Sequence, residues 1–187
     1  MMQRQSLAAL LSLACLLTGC AGQDSSPEIQ QETVLQASNL AAGFKATLMA
    51  TLMEGLADGP EQAIGACAVR APELAAEYSR DGIRIGRTAL RLRNPANAPE
   101  PWLEPLLEEY LAAGPGAGPQ AVRIDASTVG YVEPLYVGRP CLTCHGEIIA
   151  EEVRDQIEAA YPEDDSVGFR EGDFRGLLWV TINEDGV

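Results

Sequence analysis

Ala121-Val122-Arg123-Ile124-Asp125 and Val129-Gly130-Tyr131-Val132-Glu133-Pro134-Leu135-Tyr136-Val137, with only Ala126-Ser127-Thr128 between them, read as the two strands of a hairpin. β-Branched and aromatic residues favour strands, and the short polar spacer supplies the turn. A hairpin joins antiparallel neighbours, whereas parallel strands need a long crossover, so the sheet is expected to be antiparallel. Downstream, Gly176 to Ile182 is an apolar run containing Trp179 that suits a central strand. Upstream, Gly82 to Arg93 alternates as Ile83, Ile85, then Leu90, Leu92, with Arg at 84, 87, 91 and 93. Its apolar phase flips near Gly86, which predicts a bulge, because one extra residue turns every later side chain to the other face.

The remaining segments read as helices. From about Glu28 to Leu56, the residues Leu40, Phe44, Leu48, Leu52 and Leu56, with Met49 and Met53 beside them, form the stripe of a long amphipathic helix that Asp58-Gly59-Pro60 ends. A second helix is expected over Glu61 to Ser79, carrying Ala63, Cys67, Leu74 and Tyr78, with Pro72 as a break or kink. Asn94 to Pro99 is a turn. Leu103, Leu106, Leu107, Tyr110 and Leu111 then make a helix face that Gly114-Pro115-Gly116 stops. Ile148 to Tyr161 is helical in pattern, and Pro162 to Gly172 is an acidic loop. Helices first, then strands joined by hairpins rather than regular βαβ units, predict an α+β fold with a long N-terminal helix and helices flanking an antiparallel sheet.

The chain of 187 residues has 27 Asp plus Glu against 13 Lys plus Arg, a formal net charge of −14. That balance repels nucleic acid and anionic lipid surfaces, so no nucleic-acid partner is expected. Twelve of the thirteen basic residues are Arg, the exception being Lys45. The planar guanidinium suits carboxylate partners.

The N-terminus has the form of an export signal. Met1-Met2-Gln3-Arg4 precedes a short apolar run from Leu7 to Leu17, too short to span a membrane. The run closes on Leu17-Thr18-Gly19-Cys20, which resembles the lipobox of bacterial lipoproteins, so residues 1–19 are expected to be a lipoprotein signal peptide and Cys20 the lipidated residue. Residues 20–32, small and polar at their start, read as a lipid-anchored linker, and 33–187 as the folded domain. The expected location is the periplasmic face of a membrane, held through the anchor on Cys20; Ala21, rather than Asp, after that cysteine favours the outer membrane over the inner. Of five cysteines, the leader removes Cys15, and of those remaining only Cys67 is left without a role.

That role for the others comes from Cys141-Leu142-Thr143-Cys144-His145. Cys-x-x-Cys-His is the attachment motif for c-type haem: two thiols add to the vinyl groups, and the adjacent imidazole is placed to ligate iron. His145 is the sole histidine of the chain and falls in the one position this chemistry requires. One covalent haem c is expected. A redox-active dithiol or a structural disulfide is the alternative. Zinc fits less well, because a four-coordinate site needs ligands beyond these three. With no second histidine, the other axial position falls to Cys67, Met49, Met53, Lys45, or to water or a small gas. A free thiol in an oxidising compartment asks for a reason, and Arg70, one turn on, is a candidate to hold Cys67 as thiolate. Arg87, Arg91 and Arg93 are candidate propionate contacts.

Further motifs join this one. Ala63-Ile64-Gly65-Ala66-Cys67 with Ala71-Pro72, Gly86-Arg87-Thr88, Arg93 to Pro99, Cys141 to Gly146, Tyr161-Pro162 and Gly172-Asp173-Phe174-Arg175-Gly176 occur in the order found in a family of c-type haem domains. That family was first described structurally in a cyanobacterial protein and long catalogued as a domain of unknown function. The resemblance runs from about Thr33 to Ile182. It implies a PAS-like fold and axial ligation by the motif histidine, His145, and a cysteine, Cys67. A thiolate ligand favours ferric iron, so the resemblance implies a low reduction potential. The expected function is electron transfer by a redox-active monohaem c-type lipoprotein in the periplasm. The alternative is a redox or diatomic-gas sensor, expected to act through a separate partner rather than through an output module of its own. Peroxidase-type catalysis ranks last, because no second histidine serves as distal acid-base group, and the chain is not expected to be an enzyme.

Overall fold

The computed structural model describes residues 28–186; the expected leader, Cys20 and residues 21–27 of the expected linker lie outside the described residues. Helix α1 spans Gln31–Asp58 and ends at Gly59, whose φ of 124° suits glycine. Its first half presents Thr33, Ala37, Ala41 and Phe44 to the sheet. Of the predicted leucine stripe, Phe44 alone is fully buried, because the small Ala37 and Ala41 let the helix backbone approach the sheet. Among the described residues no helix is long and apolar enough to cross a membrane.

The expected second helix is three segments: α2 Pro60–Gly65, a π-helical turn Ala66–Arg70, and α3 Ala71–Tyr78. Pro72 has no N–H to give the Ala68 carbonyl and its ring crowds that oxygen, so the ladder widens in the turn before it. The break therefore falls on the residues around Cys67 rather than at the proline.

Strands β1 Ile83–Thr88, β2 Gln120–Arg123, β3 Thr128–Tyr136 and β4 Phe174–Asn183 form one antiparallel sheet in the order β1-β4-β3-β2. The hairpin is β2 and β3, and the run around Trp179 is a central strand paired on both sides, as its apolar pattern predicts. The predicted bulge is not in β1. Ile83 to Thr88 pairs with Ile182 to Leu177 without a register shift, and the strand ends before Leu90 and Leu92. Gly86 serves a different need: a Cβ there would stand 2.6 Å from the Trp179 ring, so the glycine admits the indole. The register shift lies between β3 and β4, where Leu135 pairs with Gly176 and Tyr136 with Phe174, leaving Arg175 as the extra residue.

Alternation along β4 divides the core. Leu178, Val180 and Ile182 face α1 and α3, with Phe44, Leu74, Ile85 and Tyr131. Leu177 faces α4 (Glu104–Ala113), where Leu103, Leu107, Tyr110 and Val132 close the second layer and Trp179 packs against it. Helices thus flank both faces of an antiparallel sheet, the α+β arrangement expected. A smaller cluster joins Ile64 of α2 to Ile149 and to Val153 and Ile157 of α6 (Glu151–Ala160), with Cys144 against it. It ties the Cys-x-x-Cys-His segment to the helical layer.

Candidate functional site

Past β3 the chain turns through a 3-10 turn, Arg139–Cys141, into the single turn α5, Leu142–His145. Helical spacing places Cys141, Cys144 and His145, at i, i+3 and i+4, on one face of that turn. All three line a cleft of about 220 Å³ between α5, the second half of α1, the π-turn and the sheet. Leu48, Leu52 and Leu56 of α1 with Leu92, Leu135 and Leu178 make its walls apolar. The leucines that the stripe placed on α1 beyond Phe44 therefore wall a cleft, with Leu48 also packed against the main core. Cys67 lines the same cleft from the π-turn. Among the described residues no three His, Cys, Asp or Glu side chains converge closely enough to hold an ion. The thiols and the imidazole are spread around an apolar slot, which fits a flat group better than a single zinc.

His145 is oriented by the acidic loop. Its Nδ1 lies 2.6 Å from the Ser166 carbonyl, an acceptor only, so Nδ1 carries the proton and donates it. The other ring nitrogen, Nε2, keeps its lone pair for a ligand bond. Burial, with the Arg93 and Arg175 charges adding to it, pushes the imidazole pKa down to about 3 against the hydrogen bond to Ser166. The ring is therefore neutral at any ordinary pH. The loop is pinned over the motif by Phe169 N–H to the His145 carbonyl and Gly168 N–H to the Gly146 carbonyl, both 2.9 Å.

The three candidate arginines have different positions. Arg93 lines the cleft, but it is held in a buried ion pair with Asp164 at 3.0 Å, and its Nη2 also donates to the Cys144 carbonyl at 2.5 Å and to the Ser166 carbonyl at 3.2 Å. Arg91 is not a cleft residue. Its Nε donates to the Asp165 carbonyl at 3.0 Å, its Nη2 to that of Val167, and its guanidinium stacks 4.4 Å from the Phe169 ring centre. The strand ends at Thr88, so the alternation that would have put residues 87, 91 and 93 on one face does not extend to Arg91. Arg87 lines the cleft and makes no hydrogen bond or ion pair among the described residues; burial pulls its pKa down, against the opposing influence of Cys67 and Tyr161.

The other sixth-ligand candidates separate likewise. Met49 and Lys45 line the cleft and Met53 does not; Lys45 is engaged by Glu133, and Met49 is half exposed. Arg70, the expected partner of Cys67, points elsewhere, to Glu73 at 3.2 Å and Glu77 at 2.7 Å, because those acids lie within its reach along α3. Around Cys67 stand Arg87, Tyr161 and Cys144, and burial pushes the Tyr161 hydroxyl and the Cys144 thiol up. Three participants were not named as site residues from the sequence, although Tyr161 and Arg175 lie in motifs of the resembled family. Ser166 acts through its backbone, Tyr161 reaches the cleft from the end of α6, and Arg175 is aimed by the register shift in β4.

Comparison with known proteins agrees with this geometry. A model of the Tll0287-like family, described as Tll0287, matches residues 23–183. Among solved structures, the cyanobacterial heme-protein Tll0287 superposes with a TM-score of 0.62 at 25% sequence identity, over 83% of this chain and 98% of that one. Among curated proteins nothing matches.

Proposed function

Because the chain belongs to the Tll0287-like family, we propose that it is a haem protein carrying one covalent c-type haem, with electron transfer at the periplasmic face of a membrane as its task. The relationship to a heme-protein supports haem binding. What supports the finer reading is that Cys141, Cys144, His145 and Cys67 all face one apolar cleft while the His145 tautomer leaves Nε2 available.

In this reading the thiols of Cys141 and Cys144 would hold the haem by thioether bonds, and His145 Nε2 and Cys67 would be the residues that ligate its iron. The group supplies one-electron chemistry at its iron. Leu48, Leu52 and Leu135 keep water from it, and the hydrogen bond to Ser166 raises the donor strength of His145. The anchor expected on Cys20 would keep the domain near membrane-bound redox partners.

In the second reading, a redox or gas sensor, Cys67 on its π-turn would be the ligand that yields to the signal. The deciding experiment is the optical spectrum of the purified protein, reduced by dithionite, with and without carbon monoxide. A six-coordinate reduced spectrum that the gas leaves alone supports electron transfer. A prompt Soret shift means an opening sixth position and supports sensing. Absence of covalent haem removes both and returns Cys141 and Cys144 to a dithiol.

A further inference from the structure

Arg175 owes its direction to an irregularity in β4. In unbroken alternation Phe174 would share the cleft face with Leu178, and Arg175 would face α4. The register shift reverses this: Phe174 packs in the α4 layer, and Arg175 lines the cleft. The shift depends on Gly176, with φ of 146°, where a Cβ would come within 2.1 Å of the Thr88 carbonyl oxygen. Bulges re-aim side chains in this way near functional sites.

The re-aimed guanidinium and that of Arg87 line the same cleft; burial, with the charge of Arg87 adding to it, lowers the Arg175 pKa, and neither has a carboxylate partner among the described residues. Arg87 makes no hydrogen bond, and Arg175 makes one, from Nη1 to the Arg91 carbonyl at 3.1 Å. The nearby acid, Asp164, is taken by Arg93. Both guanidiniums are partly accessible from the cleft, and two like charges there repel each other unless an anion sits between or against them. Guanidiniums present donor pairs that match a carboxylate. We propose that Arg87 and Arg175 form a carboxylate seat that takes a haem propionate, so that this carboxylate is held under the sheet rather than in solvent. The seat rests on the haem reading above, and it replaces the trio Arg87, Arg91, Arg93 by a pair of which only Arg87 was visible in strand alternation.

The test uses holoprotein whose haem carries ¹³C at its propionate carboxyls, followed by isotope-edited infrared spectroscopy through a pH titration. In the parent protein one propionate stays ionised well below the ordinary carboxylate range. In Arg87→Gln and in Arg175→Gln its protonation moves to at least tenfold lower proton concentration, and Arg87→Lys recovers part of the effect. Propionate titrations that superimpose for parent and both variants overturn the seat while leaving the haem reading intact. Absence of any labelled signal from the protein overturns the haem reading itself. Succinate serves as the free-carboxylate probe: a haem-spectrum change on its addition that Arg87→Gln abolishes assigns the seat to a soluble carboxylate and overturns the propionate assignment.

Discussion

Arg93 and His145 meet at one atom, the Ser166 carbonyl oxygen, to which Arg93 Nη2 donates at 3.2 Å and His145 Nδ1 at 2.6 Å. Arg93 simultaneously holds Asp164 and the Cys144 carbonyl. One guanidinium therefore positions the acidic loop, the turn α5 and the acceptor of the histidine proposed as an iron ligand.

Asp164 completes that knot, accepting from Arg93 and from the Ser166 N–H at 2.9 Å. The Asp164→Ala variant leaves Arg93 buried and uncompensated, a change that costs about 3–5 kcal/mol where both partners are buried. Chemical denaturation of the holoprotein reads the loss directly; a change under about 1 kcal/mol, the range of an exposed pair, would contradict the arrangement.

The Cys67→Ala variant tests the second axial ligand. The ferric EPR spectrum should lose the signature of thiolate ligation while the covalent haem, attached through other cysteines, is retained. An unchanged spectrum removes Cys67 from the iron and leaves Met49, with its side chain at the cleft, as the next candidate.

Gly176→Ala places a Cβ against the Thr88 carbonyl in a backbone region that side chains avoid. The strain alone amounts to about 1–3 kcal/mol. A lowered thermal midpoint is expected, and the Arg175-dependent propionate behaviour should change with it. A variant as stable as the parent would mean the register shift is not held by this glycine.

In haem-free protein made by Cys141→Ser and Cys144→Ser, His145 gives stability a defined pH dependence. Its folded pKa of about 3 lies below the ordinary value of 6.5, so between those limits the unfolded chain takes up a proton that the folded chain refuses. Stability contributed by the neutral ring is thus full above 6.5 and falls as pH drops toward 3. Denaturant melts at neutral and at mildly acidic pH should differ, and His145→Gln should flatten the difference. The chain holds no second histidine to mask it.

Much of the fold was legible because burial imposes periodicity. The β2–β3 hairpin, the central position of β4 and the long α1 each follow from the spacing of apolar residues. The bulge was misplaced because Gly86, which breaks the alternation of β1, is there to admit the Trp179 ring, a partner distant in sequence. A break near Pro72 follows from the missing N–H, but its widening around Cys67 depends on how the helix absorbs that loss.

By itself the sequence determined the proposed attachment triplet, since Cys141, Cys144 and His145 sit within one turn and their relative placement is local. It determined the antiparallel class for the same reason, through a short hairpin. Only the tertiary structure decided which other groups face that triplet: Cys67 across the cleft, Arg87 and Arg175 at its sheet side, the Ser166 carbonyl behind the imidazole, and Arg91 turned away. Those choices depend on strand ends, a one-residue register shift and a backbone acceptor, each set by packing between segments far apart in the chain and carried by no local pattern of side chains.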